Sequence, residues 1–260
     1  MVAELNSRFA RGHPSNDLAS AGVLVREFDE LDASAGMDGG APWKPCPAGT
    51  WCHTHADRWP MTLVNAHQRN LYYQPNSRFG IGPQGSTGGV GGLVISPMVS
   101  INCAYPEDGN SMSTDKSCSE PGGNGATCIP GCFSEHSSPS SWCNHGPLRA
   151  DDDPNTWTGV WSCPFPPNEL REALTVQQRL QSMRIRNNEI IVNAASYMAH
   201  LPHTIEAFFT VPSSGPKEHR TVRGAREALL REYGLGDATG PPLVVMDLQG
   251  GGSQPFHLMR

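Results

Sequence analysis

Residues 189–211 read EIIVNAASYMAHLPHTIEAFFTV. Two short apolar runs, 189–192 and 205–211, have the length and β-branched or aromatic content of buried strands. Between them, residues 194–201 suit a short helix that Pro202 closes. The texture continues outward. Upstream, residues 168–180 place Leu170, Leu174 and Leu180 on one side of a helix. Downstream, residues 220–233 form a second helical pattern with Gly234 as its C-cap. Residues 243–248, LVVMDL, follow as a final buried strand before a Gly-rich turn. Strands alternating with helices predict a parallel or mixed sheet.

The first hundred residues add to that sheet. Residues 21–28 (AGVLVREF), 91–96 (GGLVIS) and 99–105 read as strands. Residues 1–20 open on an amphipathic helix carrying Val2, Leu5 and Phe9, ended by Gly12 and Pro14. Residues 56–66, ADRWPMTLVNA, read as a short helix with Pro60 in its first turn. The fold class expected is α/β (or α+β): a mixed sheet with flanking helices and a long, loop-rich, disulfide-stapled insertion. One domain spans 1–260, with 41–165 the Cys/Trp/Gly/Pro-rich insertion and 166–260 the regular strand–helix part. Two separate domains are the alternative.

Composition narrows the class. Charged residues are 17% of the chain, against about 25% in ordinary domains. Gly and Pro together number 28 + 23 = 51, which signals many turns and irregular backbone. The net charge of −6 and the absence of a Lys/Arg cluster argue against a nucleic-acid partner. No stretch approaches about 18 apolar residues, so no membrane span is expected.

All eight cysteines, Cys46, Cys52, Cys103, Cys118, Cys128, Cys132, Cys143 and Cys163, fall in the middle of the chain. An even, clustered set fits four bridges, whose connectivity spacing alone leaves open. Zinc is the competitor, but only Cys128 and Cys132 have the close spacing of a zinc pair, with His136 and His145 nearby. Free thiols in a cytosolic protein are the third reading. The bridges have a physical purpose. Segments such as SCSEPGGNGATCIPGC cannot bury enough apolar surface to offset their ordering entropy. A covalent closure limits the unfolded state instead, by about 2–4 kcal/mol each. Bridges imply an extracellular or cell-surface setting, yet the first residues lack a leader's apolar core. A leader removed, or lying outside this chain, reconciles the two.

The six tryptophans, Trp43, Trp51, Trp59, Trp142, Trp157 and Trp161, share this region. They read either as packing against bridges or as an exposed platform for a sugar or a protein pocket. Gly80-Ile-Gly82-Pro-Gln-Gly85 spells a dinucleotide fingerprint without the flanking strand and helix that it needs. His200, His203 and Glu206 resemble metal ligands, but Pro202 interrupts the helix that would align them, so a surface turn is expected. No metal or other cofactor is assigned. Calcium is the one ion that the acidic turns at Asp151–Asp153 with Asn155, or Glu107, Asp108 and Asn110, would admit. There is no G-x-S-x-G elbow and no N-glycosylation sequon, which leaves O-linked sugar near Ser134–Ser141 as the route to a glycoprotein. No catalytic residue is assigned, and the balance is against an enzyme.

The runs Gly22-Val-Leu-Val, Trp51-Cys52, Gly91-Gly-Leu-Val-Ile, Cys103-Ala-Tyr-Pro-Glu-Asp-Gly, Trp161-Ser-Cys-Pro-Phe, Asn188-Glu-Ile-Ile-Val and Leu201-Pro-His-Thr-Ile-Glu-Ala-Phe-Phe span nearly the whole chain. Together they resemble a family of cysteine-rich proteins abundant in dinoflagellate and related algal protein sets. The resemblance implies an extracellular or surface setting in a unicellular alga and carries over no catalytic residue. Three functions are expected in order. The first is an extracellular structural or adhesive module, self-assembling into a homo-oligomer, polymer or coat. The second is a glycan-acting hydrolase or lyase using Glu189, Glu206 and Asp247. The third is a lectin-like module whose tryptophans bind extracellular glycan.

Overall fold

The computed structural model describes residues 1–27, 41–44, 58–67, 91–106, 164–180, 188–212, 214–248 and 252–259. Among the described residues the strands are β1 (Val23–Glu27), β2 (Arg58–Val64), β3 (Gly92–Ile95), β4 (Ile101–Tyr105), β5 (Glu189–Asn193), β6 (Ile205–Thr210), β7 (Leu243–Met246) and β8 (Phe256–Leu258). They form one mixed sheet in the order β4-β5-β2-β1-β3-β6-β7-β8. Neighbours are antiparallel except β6 and β7, which run parallel. The helices are α1 (Val2–Arg11), α2 (Leu18–Ala21), α3 (Leu170–Leu180, led by a 3-10 turn at Pro167–Glu169), α4 (Ala194–Ala199) and α5 (Pro216–Tyr233).

Successive strand residues face opposite sides, and this divides the core in two. Leu24, Leu63, Leu93, Ile190, Val192 and Phe208 lie on one face with Leu174 of α3, Tyr197 of α4 and Val222 and Leu229 of α5. Val23, Val25, Val64, Val94, Phe209 and Val244 lie on the other with Leu5 and Phe9 of α1. The sheet therefore stands between α1 and the three helices α3–α5. Leu5 and Phe9 are four apart, hence on one side of α1, and Phe9 meets the Phe256 ring edge-on at 6.3 Å.

The helix expected over 56–66 is strand β2. Its apolar residues alternate: Met61 and Leu63 face α3–α5, and Val64 faces α1. That two-residue period outweighs the short helical pattern. Pro60 is tolerated because β1 pairs with β2 only from Thr62 to Val64, so at Pro60 the strand has its sole ladder with β5. Three strands, β2, β3 and β4, come from within 41–165 and supply part of the sheet itself. Strand β8 was not anticipated, because its three residues include exposed His257 and Leu258 and show no apolar run. Helix α5 starts at Pro216, four residues before its expected start; proline suits the first helical position. It ends at Gly234, whose left-handed φ of 63° makes the expected C-cap.

Asparagine side chains complete the ladder where backbone runs out. Asn188 Oδ1 accepts from the Leu63 N–H at 2.7 Å, and its Nδ2 donates to the Leu63 carbonyl at 2.9 Å. Continuing the β2–β5 register past Met61↔Ile190 would place residue 188 opposite Leu63, so the carboxamide stands in for a further backbone pair. Asn188 Nδ2 also donates to Gln177 Oε1 of α3 at 2.9 Å, tying that helix to the sheet. Asn6 of α1 does the same for Phe256, with both bonds at 2.9 Å. Phe256 belongs to the edge strand β8, so this contact also shields an edge that would otherwise offer bare backbone to another chain.

Candidate functional site

Paired catalytic carboxylates stand about 5–10 Å apart. The three candidates do not meet that condition. Glu189 is buried on β5, and three strands separate β5 from the β6 strand that carries Glu206. Four strand spacings of about 4.8 Å put their backbones roughly 19 Å apart. Asp247 follows β7, two residues beyond Val245, which pairs with Thr210. Glu206 lies four residues before Thr210 on the parallel neighbour. Six residues at about 3.3 Å each separate the two carboxylates by roughly 20 Å along the strands. The Asp247 N–H is bonded to the Pro255 carbonyl at 2.7 Å, which closes the β7–β8 turn.

Glu206 has a structural partner. A bulge in β6 lets Val94 pair with Ala207 while Ile95 pairs with Ile205, so Glu206 is the extra residue. A bulge re-aims a side chain, and here it turns Glu206 toward α1, where it forms an ion pair with the nearly buried guanidinium of Arg8. Burial pushes the Glu206 carboxyl above its ordinary pKa; the Arg8 charge opposes the shift without cancelling it.

His200 and His203 fall in the turn that Pro202 was expected to impose. His200 Nδ1 lies 2.9 Å from the Ser196 carbonyl, and the His203 N–H bonds the His200 carbonyl at 2.9 Å. Glu206 points away to Arg8. Among the described residues no three His, Cys, Asp or Glu side chains gather as metal ligands.

Of the tryptophans, Trp43 is a core residue, 1% exposed, within the cluster beneath α3–α5. Its carbonyl accepts from the Tyr197 hydroxyl at 2.6 Å, and burial drives that phenol well above its ordinary pKa. It therefore takes no part in an exposed platform. Trp59 lies on β2 opposite Val192. Trp51, Trp142, Trp157 and Trp161 lie outside the described residues, as do the Gly80–Gly85 loop, the acidic turns at 107–110 and 151–155, and the Ser/Thr tract at 134–141.

Cys103 is the one cysteine among the described residues. It is fully buried on β4, packed with Tyr105 and Ile191, and it is disulfide-bonded rather than free. Cys46, Cys52, Cys118, Cys128, Cys132, Cys143 and Cys163 lie outside the described residues. The outer side of β4 is covered at Ala104, which exchanges two backbone bonds with Phe165 at 3.0 and 2.8 Å.

Two polar groups that the sequence did not flag lie where β6 enters α5. Thr210 is fully buried with no hydrogen-bond partner for its hydroxyl, and His219 has a buried Nδ1 without one. Neither sits in a motif; their state depends on tertiary placement, which residue spacing does not encode. Among the described residues no helix is long and apolar enough to cross a membrane. No family model matches the chain, and no curated protein matches it.

Proposed function

We propose that the chain is an extracellular or cell-surface structural or adhesive module that associates with copies of itself through its Cys- and Trp-rich segments. What supports this reading is the place of Cys103, which is not a free thiol, on a core strand. A disulfide at that position suits an oxidising compartment. Supporting it, Glu189, Glu206 and Asp247 are held apart on the sheet, so the glycan-acting enzyme reading has no carboxylate pair among them. Trp43 is withdrawn into the core, which leaves the lectin-like reading to the other five tryptophans.

Sedimentation of the oxidised full chain across a wide concentration range tests the proposal. Concentration-dependent association that is lost on reduction is expected. A monomer at every concentration overturns self-association as the function.

A further inference from the structure

Strand β6 runs into α5, and α5 returns the chain to β7, which pairs with β6 in parallel. The carboxyl ends of parallel strands, faced by the amino end of the connecting helix, are where open α/β sheets bind ligands. Helix α5 has 18 residues, its N-cap is Gly215 with no side-chain cap, and its first residue is Pro216. Proline has no N–H, so the donors left over in this first turn are the amides of residues 217 and 218. They sit at the positive end of the helix dipole.

Two further polar groups lie toward the same end. Thr210 alternates with Phe209, so it shares the face of Phe208, which α5 covers. Continuing the β3–β6 register past Gly92↔Phe209 sets Thr210 opposite Gly91. A Cβ at Gly91 would stand 2.7 Å from Val222 Cγ2 and 2.2 Å from the Phe209 carbonyl, so α5 presses on the sheet at that point. The Thr210 hydroxyl thus lies beneath the first turns of α5, 0% exposed and unpartnered. His219 precedes Val222 by three residues, which places it on the same side of the helix, one turn closer to the amino end. Its N–H makes the first helical bond, to Gly215 at 3.1 Å, while its Nδ1 is buried without a partner. An unpaired buried polar group costs about 1–3 kcal/mol, and here there are two, one in the first turn of α5 and one at the end of the strand that leads into it.

We propose that the amino end of α5, with Thr210 and His219, binds a phosphate or sulfate group. Thr210 donates its hydroxyl hydrogen, His219 donates from Nδ1 in the matching tautomer, and the amides of 217 and 218 complete the cradle. The inference is independent of the structural role proposed above, since it uses neither cysteine nor tryptophan.

The test is titration of the 15N-labelled, oxidised full chain with inorganic phosphate at constant ionic strength, and separately with a sulfated oligosaccharide. Saturable shifts of the 217–219 amides with either titrant are expected, and the tighter one identifies the source of the group. Thr210→Val should weaken that binding about tenfold or more, while Thr210→Ser, which keeps the hydroxyl, should stay within about threefold of wild type. No saturable shift with either titrant overturns the proposal, as does wild-type affinity in a folded Thr210→Val. If the valine variant does not fold, the wild-type titration decides alone.

Discussion

Asn188 is the residue whose loss should be felt most for the fewest atoms removed. It is 1% exposed and makes three hydrogen bonds, two to the backbone of Leu63 and one to Gln177. In Asn188→Ala the Leu63 N–H and carbonyl, both in the core between β2 and β5, lose their partner. Each unsatisfied buried group costs about 1–3 kcal/mol. With the weaker tie to α3 added, the expected loss is about 3–5 kcal/mol, a large share of the roughly 5–15 kcal/mol that holds a domain folded. Asn188→Asp is a sharper probe. It keeps the acceptor for the Leu63 N–H but sets a carboxylate against the Leu63 carbonyl and Gln177 Oε1. Burial and those two oxygens raise the pKa of the introduced carboxyl in the folded state. A raised folded pKa means stability is fully present below the unfolded value and is lost as pH rises through the folded one. The deficit of Asn188→Asp should therefore be smaller near pH 4 than near pH 7, because the protonated acid regains one donor. Urea unfolding followed by fluorescence at both pH values measures this. An Asn188→Ala variant within about 1 kcal/mol of wild type, or an aspartate deficit that does not narrow on acidification, would refute the backbone-substitute role.

Glu206 has a raised folded pKa, so its contribution to stability is present below the unfolded value of 4.5 and declines as pH rises through the folded value. Glu206→Gln keeps an acceptor oxygen for Arg8 but cannot titrate, so its cost relative to wild type, about 1 kcal/mol, should be greatest below pH 4.5. That cost should shrink as pH rises from 4.5, and urea melts giving a constant or growing cost would sink the assignment. Gly91→Ala should cost about 2–4 kcal/mol, since φ of 126° strains any L-residue and the new methyl meets the Phe209 carbonyl at 2.2 Å. A thermal melt showing a loss under about 1 kcal/mol would mean that β3 and α5 are not pressed together there.

The regular part of the fold was readable because its elements carry single, consistent periods. Leu5 and Phe9 in α1, and the apolar runs of β1, β3, β5, β6 and β7, each match one template. β2 was misread because Pro60 mimics a helix start, and its true period appears only beyond the proline, at Met61, Leu63 and Val64. The pairing order was beyond reach. Nothing local says that β5 inserts between β4 and β2, more than eighty residues away in sequence, or that Asn188 rather than another polar residue closes that seam. The candidate site fared similarly. Glu189, Glu206 and Asp247 looked alike as acids at strand ends, but the bulge that gives Glu206 to Arg8 is a tertiary feature. Thr210 and His219 are ordinary in sequence and acquire significance only from the crossing of α5 over β6.

The most direct test is to alkylate the unfolded chain before and after reduction and to map the unreduced peptides by mass spectrometry. None of the eight cysteines should take up reagent before reduction, all eight should after it, and the Cys103 peptide should be linked to another cysteine peptide. A Cys103 peptide alkylated without reduction would contradict a sheet that anchors disulfide-stapled segments, and with it the structural role proposed for them.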